Sequence, residues 1–307
     1  MMQQTLENSI TLHGIGLHSG HNVELILQPA PIDTGLIFIR TDLETGKNEI
    51  PALWNNVADT RLCTLIANEH GATIGTIEHL MAALRANGID NLYIKLNAPE
   101  VPIMDGSSAP FMDAIEKAGI HEQATPRIYI KILKPITVED GEKTVELTPG
   151  VISSFSGEIN FEHPSIGQQS YETSLVNGNF AHLLADCRTF GFEKDVEYLR
   201  QNGLARGGSL ENAIVIGDDG VLNPEGLRHE DEFIRHKLLD AIGDLYLAGA
   251  PILGHYHGIR AGHDMNNKIL HALFANTDAW TYVSSNEEQI SPLLSSSEQI
   301  SLESINA

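Results

Sequence analysis

The sequence predicts an α+β fold of two similar domains, each a β-sheet with two helices packed on one face, the helices meeting at an inter-domain site. Three observations carry this expectation. The 307 residues exceed the size at which one hydrophobic core stops growing. Residues 9–66 alternate apolar and polar side chains at the period of a strand. An order of strands, helix, strand, helix then occurs twice, as a repeat of pattern and not of residue identity.

Within the first half, Asn22-Val23-Glu24-Leu25-Ile26-Leu27 and Gly35-Leu36-Ile37-Phe38-Ile39 lie between Gly, Pro, Asn and Asp punctuation and read as strands and hairpins. A helix follows, with Thr76 as its N-cap, Ile77, Leu80, Met81 and Leu84 at helical spacing, and Gly88 where a C′ glycine ends it. A strand spans Asn91 to Leu96. Ser107, Ser108 and Pro110 open a second helix that runs to Ala118 and stops at Gly119. The stretch from His121 to Pro126 is expected to join the halves.

From Arg127 the pattern restarts, with strands near Ile128–Val138, Lys143–Leu147 and Ile152–Phe161. A helix from about Asp231 to Ala248, a strand near Ile252–Ile259 and a helix from about Asn266 to Ala275 complete it. The predicted domains are therefore 1–126 and 127–283. The tail 284–307, rich in Ser and Glu and without Lys or Arg, is expected to be mobile.

Composition narrows the function. With 42% hydrophobic and 20% charged residues the chain is an ordinary globular one. Its 19 basic against 41 acidic residues, a net charge of −22, repel nucleic acid and anionic lipid, so any anionic ligand needs its own local cations. No run approaches the ~20 apolar residues of a membrane span and no signal-like segment opens the chain, so a cytoplasmic monomer without stable membrane insertion is expected. Cys63 and Cys187 are the only cysteines and form no CxxC pair, which favours reduced thiols over a disulfide framework. The 14 histidines raise the prospect of a metal site.

On the first helix the stripe Ile77/Leu80/Met81/Leu84 faces the sheet, which puts His79 on the opposite side with Ala82 and Ala83, and Glu78 between the faces. Taken alone, Glu78 and His79 read as a solvated pair on an exposed face. On the helix of the second half, His236, Asp240 and Asp244 recur at i, i+4 and i+8 with Lys237 alongside. That stripe reads either as a chelating pair or as an exposed face on which Lys237 forms a surface ion pair. If the halves pack about a pseudo-twofold axis, His79 meets His236 and Asp240. Two imidazoles and a carboxylate leave a position open, as a catalytic zinc site requires, and Glu78 is then the base for its water. Gly262-His263-Asp264 opens the last helix, where His263 is either an acid partnered by a carboxylate such as Asp244 or a capping residue.

Gly14-Ile15-Gly16-Leu17-His18-Ser19-Gly20, Thr76-Ile77-Glu78-His79-Leu80, Asn97 to Ser107, Arg188-Thr189-Phe190-Gly191-Phe192, His236 to Asp244 and Gly262-His263 together closely resemble the UDP-3-O-acyl-N-acetylglucosamine deacetylases of lipid A biosynthesis. The likeness runs from about residue 4 to 276. It implies zinc ligands at His79, His236 and Asp240, with iron(II) as an alternative occupant, a base at Glu78, and an acid at His263 oriented by Asp244. It implies oxyanion stabilisation by Lys237 and Thr189. It further implies a small insert in each half, the second making an apolar passage for an acyl chain lined by Phe190, Phe192, Val196, Ala213 and Val215. On residues alone Ala213-Ile214-Val215-Ile216 reads equally as a buried strand.

The same resemblance places Phe161 as a platform for uracil, Lys237 and Arg260 near the diphosphate, and Leu17 and His18 in the substrate region. Arg61 is expected near the acyl entrance, and Cys63 close to the metal pocket as a packed thiol. Two rivals share these residues. One is an iron(II) oxygenase with two histidines and a carboxylate. The other is a silent sugar-nucleotide or acyl-chain binder that would leave Glu78 and His263 without work.

Overall fold

The computed structural model describes residues 1–286, so the expected mobile tail lies, beyond Asn286, outside the described residues. In the first half β1 (Met2–Leu6), β2 (Ile10–Ile15), β3 (Asn22–Pro29), β4 (Leu36–Arg40) and β5 (Glu49–Pro51) come first. Three short strands follow, β6 (Val57–Asp59), β7 (Leu65–Ala67) and β8 (Thr73–Ile74). Helix α1 (Glu78–Ala86), strand β9 (Leu92–Leu96), helix α2 (Ala109–Ala118) and strand β10 (Ile120–Pro126) close this half.

The second half opens with β11 (Ile128–Ile132), β12 (Ile136–Asp140), β13 (Lys143–Pro149), β14 (Ser153–Asn160) and β15 (Gln168–Ser174). Next come α3 (Asn179–Leu183), β16 (Phe190–Phe192), α4 (Glu193–Gln201), β17 (Ile214–Gly217) and β18 (Gly220–Val221). Helix α5 (Glu232–Leu245), strand β19 (Ile252–Ile259), helix α6 (His263–Ala275) and strand β20 (Trp280–Ser284) complete it.

The repeat is present in the topology. One sheet has the order β2-β3-β9-β4-β5, with β9 antiparallel to β3 and parallel to β4. The other contains β12-β13-β19-β14-β15, with β19 antiparallel to β13 and parallel to β14. In each half the first and last strands also pair antiparallel, β1 with β10 and β11 with β20. The expected junction at His121 to Pro126 is therefore strand and not linker, because its backbone groups find partners in β1.

Strand alternation decides which face is covered. In β14, Ser153, Phe155, Gly157 and Ile159 are buried while the residues between them are half-buried or exposed. Helix α5 packs against β14, β15, α6 and α1, and α6 lies over β12 and β13. One core cluster, which includes Leu25, Phe38, Leu80, Ile94, Val145, Leu239 and Ile269, runs from one sheet through the helices to the other. The helices of both halves thus share a single apolar layer, which brings the functional stripes together.

One expectation about α1 is corrected. Thr76 does not cap it: the helix starts at Glu78 with no side-chain cap, and Thr76, at a φ of 55°, donates its hydroxyl to Glu100 instead. The solvated reading held only for the helix taken alone: packed in the fold, every residue from Glu78 to Leu84 is buried. The alanines explain how. Helix α5 crosses α1 at Gly243, where an added Cβ would fall 2.0 Å from the Glu78 carbonyl oxygen and 3.1 Å from the Ala82 nitrogen. Helix α6 begins at His263, three residues ahead of the expected start at Asn266, so that His263 is its first residue.

A Gly243→Ala protein is expected to be less stable by at least the roughly 1–3 kcal/mol typical of overpacking, because both obstructing atoms belong to backbone. Urea unfolding against the parent checks this. An unchanged midpoint would show that the two helices can separate freely.

Candidate active site

Helix α1 presents Glu78 and His79 in its first turn, and α5 presents His236 and Asp240 one turn apart, all four buried. His79 Nε2 lies 3.5 Å and His236 Nε2 3.3 Å from Asp240 Oδ1. The two rings meet edge to face with centroids 4.9 Å apart. One ligand atom from each of the three residues falls within 4.8 Å of the others. His236 Nδ1 lies 3.0 Å from the Cys187 carbonyl oxygen, which only accepts, so Nδ1 carries the proton and Nε2 a lone pair. That lone pair faces Asp240 Oδ1, an oxygen buried without a hydrogen-bond partner. Two acceptors aimed at each other in a dry site are stable with a cation between them, so the donor set fits a divalent metal. Burial, only partly opposed by Asp240, pushes His236 down to about 3 and keeps it a neutral ligand.

The remaining Asp240 oxygen accepts from Lys237 Nζ at 2.8 Å. Although burial opposes the charge, His236 and Lys237 hold the Asp240 carboxyl well below the usual range. Burial likewise opposes the Lys237 charge, and Asp240 more than restores it, raising Lys237 above its ordinary value.

Glu78 accepts a hydrogen bond from the Thr64 amide at 3.1 Å, and its other oxygen lies 3.9 Å from His263 Nε2. Burial raises its pKa, against the opposing pull of His263 and His79. His263 Nδ1 contacts Asp244 at 2.8 Å. Asp244 in turn accepts from the Thr64 hydroxyl at 2.6 Å and from Asn266 at 2.9 Å. Burial works against an imidazolium there, yet Asp244 and Glu78 overcome it and raise His263 to about 9. The raised pKa makes ionised Glu78 a stronger base, and the raised pKa of His263 keeps the imidazolium acid present near neutrality.

These residues close one end of a cavity of about 770 Å³. Thr189 lines it beside them, fixed by backbone bonds to Gly106 and Ile214 at 2.8 Å each. Phe161, Phe190, Phe192, Val196, Ala213 and Val215 are apolar parts of the same lining, with Phe161 5.9 Å from Phe190 and 6.2 Å from Phe192 between ring centroids. Val215 belongs to strand β17 and lines the cavity, while Ile214 and Ile216 of the same strand are buried.

Leu17 and His18 reach the rim, and burial, against Glu100, lowers the pKa of His18. Arg260 is not in the lining; it pairs with Glu142 just past the end of β19. Arg61 is exposed and paired with Asp59 at 2.6 Å, in a neighbouring pocket that also holds Cys63. Burial, reinforced by Glu78, pushes the Cys63 thiol up to about 12, so it stays protonated.

Several supporting residues escaped the sequence reading. Buried Glu100 accepts from the amides of His18 and Ser19 at 2.9 and 2.8 Å and from Thr76, which fixes the rim loop. Arg188 is buried against Glu232 at 2.9 Å, tying the β16 segment to the start of α5. Both lie inside motifs already singled out, where a charged residue among apolar neighbours was the available signal. Thr64 and Asn266 carried none.

The sequence profile of the family described as UDP-3-O-acyl N-acetylglycosamine deacetylase matches residues 3–275. A UDP-3-O-acyl-N-acetylglucosamine deacetylase of Shewanella piezotolerans is 48% identical over 295 residues, covering 95% of this chain and 96% of the relative. Proteins of that name from Shewanella baltica and Shewanella oneidensis are 47% and 46% identical over the same shares of both chains. With a profile match across nearly the whole chain and relatives near half identity, the chain belongs to the UDP-3-O-acyl N-acetylglycosamine deacetylase family.

Proposed function

We propose that this protein hydrolyses the N-acetyl group of UDP-3-O-(3-hydroxyacyl)-N-acetylglucosamine, releasing acetate and the free amine, in lipid A biosynthesis. The observation that carries the reading is a buried two-histidine, one-carboxylate cluster beside a carboxyl of raised pKa and an imidazolium raised to about 9, at the end of an apolar cavity.

In this reading His79, His236 and Asp240 hold a divalent metal, zinc with iron(II) as the alternative. A divalent ion held there would supply Lewis acidity toward the acetyl carbonyl and toward water, whose pKa such an ion lowers to about 7. Glu78 takes the proton of the attacking water. Lys237 and Thr189 donate to the oxyanion that forms as water oxygen bonds to the carbonyl carbon. His263 then protonates the departing nitrogen as the carbon–nitrogen bond breaks, and Asp244 keeps its Nδ1 occupied so that Nε2 faces the substrate.

The acyl chain occupies the apolar end of the cavity, Phe161 stacks on uracil, and Lys237 supplies the local cation an acidic protein needs for a diphosphate. The units 1–126 and 127–283 act as two domains that contribute opposite walls of this site. The protein works as a cytoplasmic monomer; among the described residues no helix is long and apolar enough to cross a membrane.

Acetate release from the acylated UDP-sugar, followed by mass spectrometry, tests the reading. Metal-free protein is expected to release none and to recover on adding zinc. A metal-loaded protein that binds the substrate without releasing acetate would overturn the catalytic reading. Ala213→Trp, which fills the apolar end, is expected to raise KM for long acyl chains at least ten-fold while leaving short ones close to the parent. Equal effects on both lengths would move the acyl chain elsewhere.

A further inference from the structure

Asp186, Cys187 and His229 form a second group of ligand atoms, all within 4.8 Å of one another, and none of the three lines the cavity described above. His229 Nε2 is 2.8 Å from Asp186 Oδ1. The Cys187 thiol, fully buried, makes only long contacts, 3.8 Å to the Leu183 carbonyl and 4.0 Å to Asp186 Oδ1. The Asp186 and His229 side chains are 43% and 23% exposed, so the group opens to solvent on that side.

The frame around it is rigid. Arg188 bonds Glu232 through its backbone amide and its guanidinium, both at 2.9 Å, which presses the Asp186-Cys187 segment against the start of α5, just after His229. Neighbouring cations are already matched: Arg228 donates to the Asp186 carbonyl and to Asp105, and Arg235 to Asp231 and the Leu183 carbonyl.

We infer that Asp186, Cys187 and His229 bind a divalent cation that favours sulfur and imidazole, zinc-like in class, as a site separate from the catalytic one. Tetrahedral zinc holds S and N or O ligands roughly 3.4–3.6 Å apart. Two of the present separations, 2.8 Å and 4.0 Å, fall on either side of that spacing, and all three ligand atoms lie within 4.8 Å of one another. Binding displaces to solvent the thiol proton that burial and the neighbouring Asp186 charge otherwise hold on the sulfur, and water completes the fourth position. The Cys187 carbonyl is also the acceptor that fixes the His236 tautomer at 3.0 Å, so a cation here steadies a catalytic ligand from behind.

Cobalt(II) titration of the chelator-stripped full chain tests this. The expected result is two equivalents per chain and a thiolate-to-cobalt charge-transfer absorption. Cys187→Ala is expected to remove that absorption and one equivalent, while Cys63→Ala keeps both. His229→Phe leaves the buried thiol in place and is expected to lose the same equivalent, so it decides the matter should Cys187→Ala fold poorly. An absorption abolished by Cys63→Ala and kept in Cys187→Ala, or a single equivalent in the parent chain, overturns the inference. The charge-transfer absorption reports Cys187 whether or not the catalytic assignment stands.

Discussion

A Glu78→Gln protein is expected to bind its metal as the parent does and to lose about 10²- to 10⁴-fold in kcat, the range of a positioned general base. Glu78 is not among the three converging ligands, and glutamine preserves both its volume and its acceptor for the Thr64 amide. What disappears is the ability to take a proton. The substitution also removes one of the three carboxylates that raise His263, so the alkaline limb of the rate profile should move toward lower pH as well. Metal content by mass spectrometry and acetate release in the same preparation separate the possibilities. Full activity would remove Glu78 from the mechanism; loss of metal would make it a ligand.

The acid side of the profile follows from the same group. Burial raises Glu78 above the ordinary carboxylate range, so its base form is lost as pH falls through that raised value, earlier than for a solvated glutamate. In Glu78→Gln that limb should vanish from whatever activity remains.

How legible the site was in the sequence depended on how far apart its parts lie along the chain. The His236 and Asp240 pair could be read from i, i+4 spacing within α5, and Phe190 with Phe192 from one short motif. The burial of Glu78 and His79 could not, because it is conferred by a helix more than 150 residues away whose Gly243 allows backbone contact. The hydroxyl that holds Asp244 comes from Thr64, 180 positions earlier, with nothing local to mark it. Arg260, which the resemblance places near the diphosphate, stands just past β19 at a φ of 49°, pairs with Glu142 and is not among the cavity-lining residues. The topological repeat was legible because sheet order is written in the succession of whole strands, whereas β10 was missed because a polar segment at a half-boundary carries no strand period.

The alkaline limb of kcat/KM is expected near pH 9 and to belong to His263. The fold raises this group, so its protonated form, with the stability it contributes, is fully present below the unfolded value of about 6.5 and is lost as pH rises through about 9. Asp244→Asn keeps one acceptor oxygen for His263 Nδ1 and Asn266, puts an amide NH2 opposite the Thr64 hydroxyl, and removes the charge that most opposes burial. Desolvation then prevails and the limb should shift down by one unit or more, each unit costing about ten-fold in rate above the new pKa. His263→Gln should lose about 10²- to 10⁴-fold and show no alkaline limb from this residue. The pair of variants discriminates two assignments, because Lys237, raised by Asp240, is another cation in the cavity and sits on a metal-ligand candidate. A limb that survives His263→Gln at its parent position would assign the acid to Lys237. One that moves with Asp244→Asn and disappears with His263→Gln assigns it to the imidazolium.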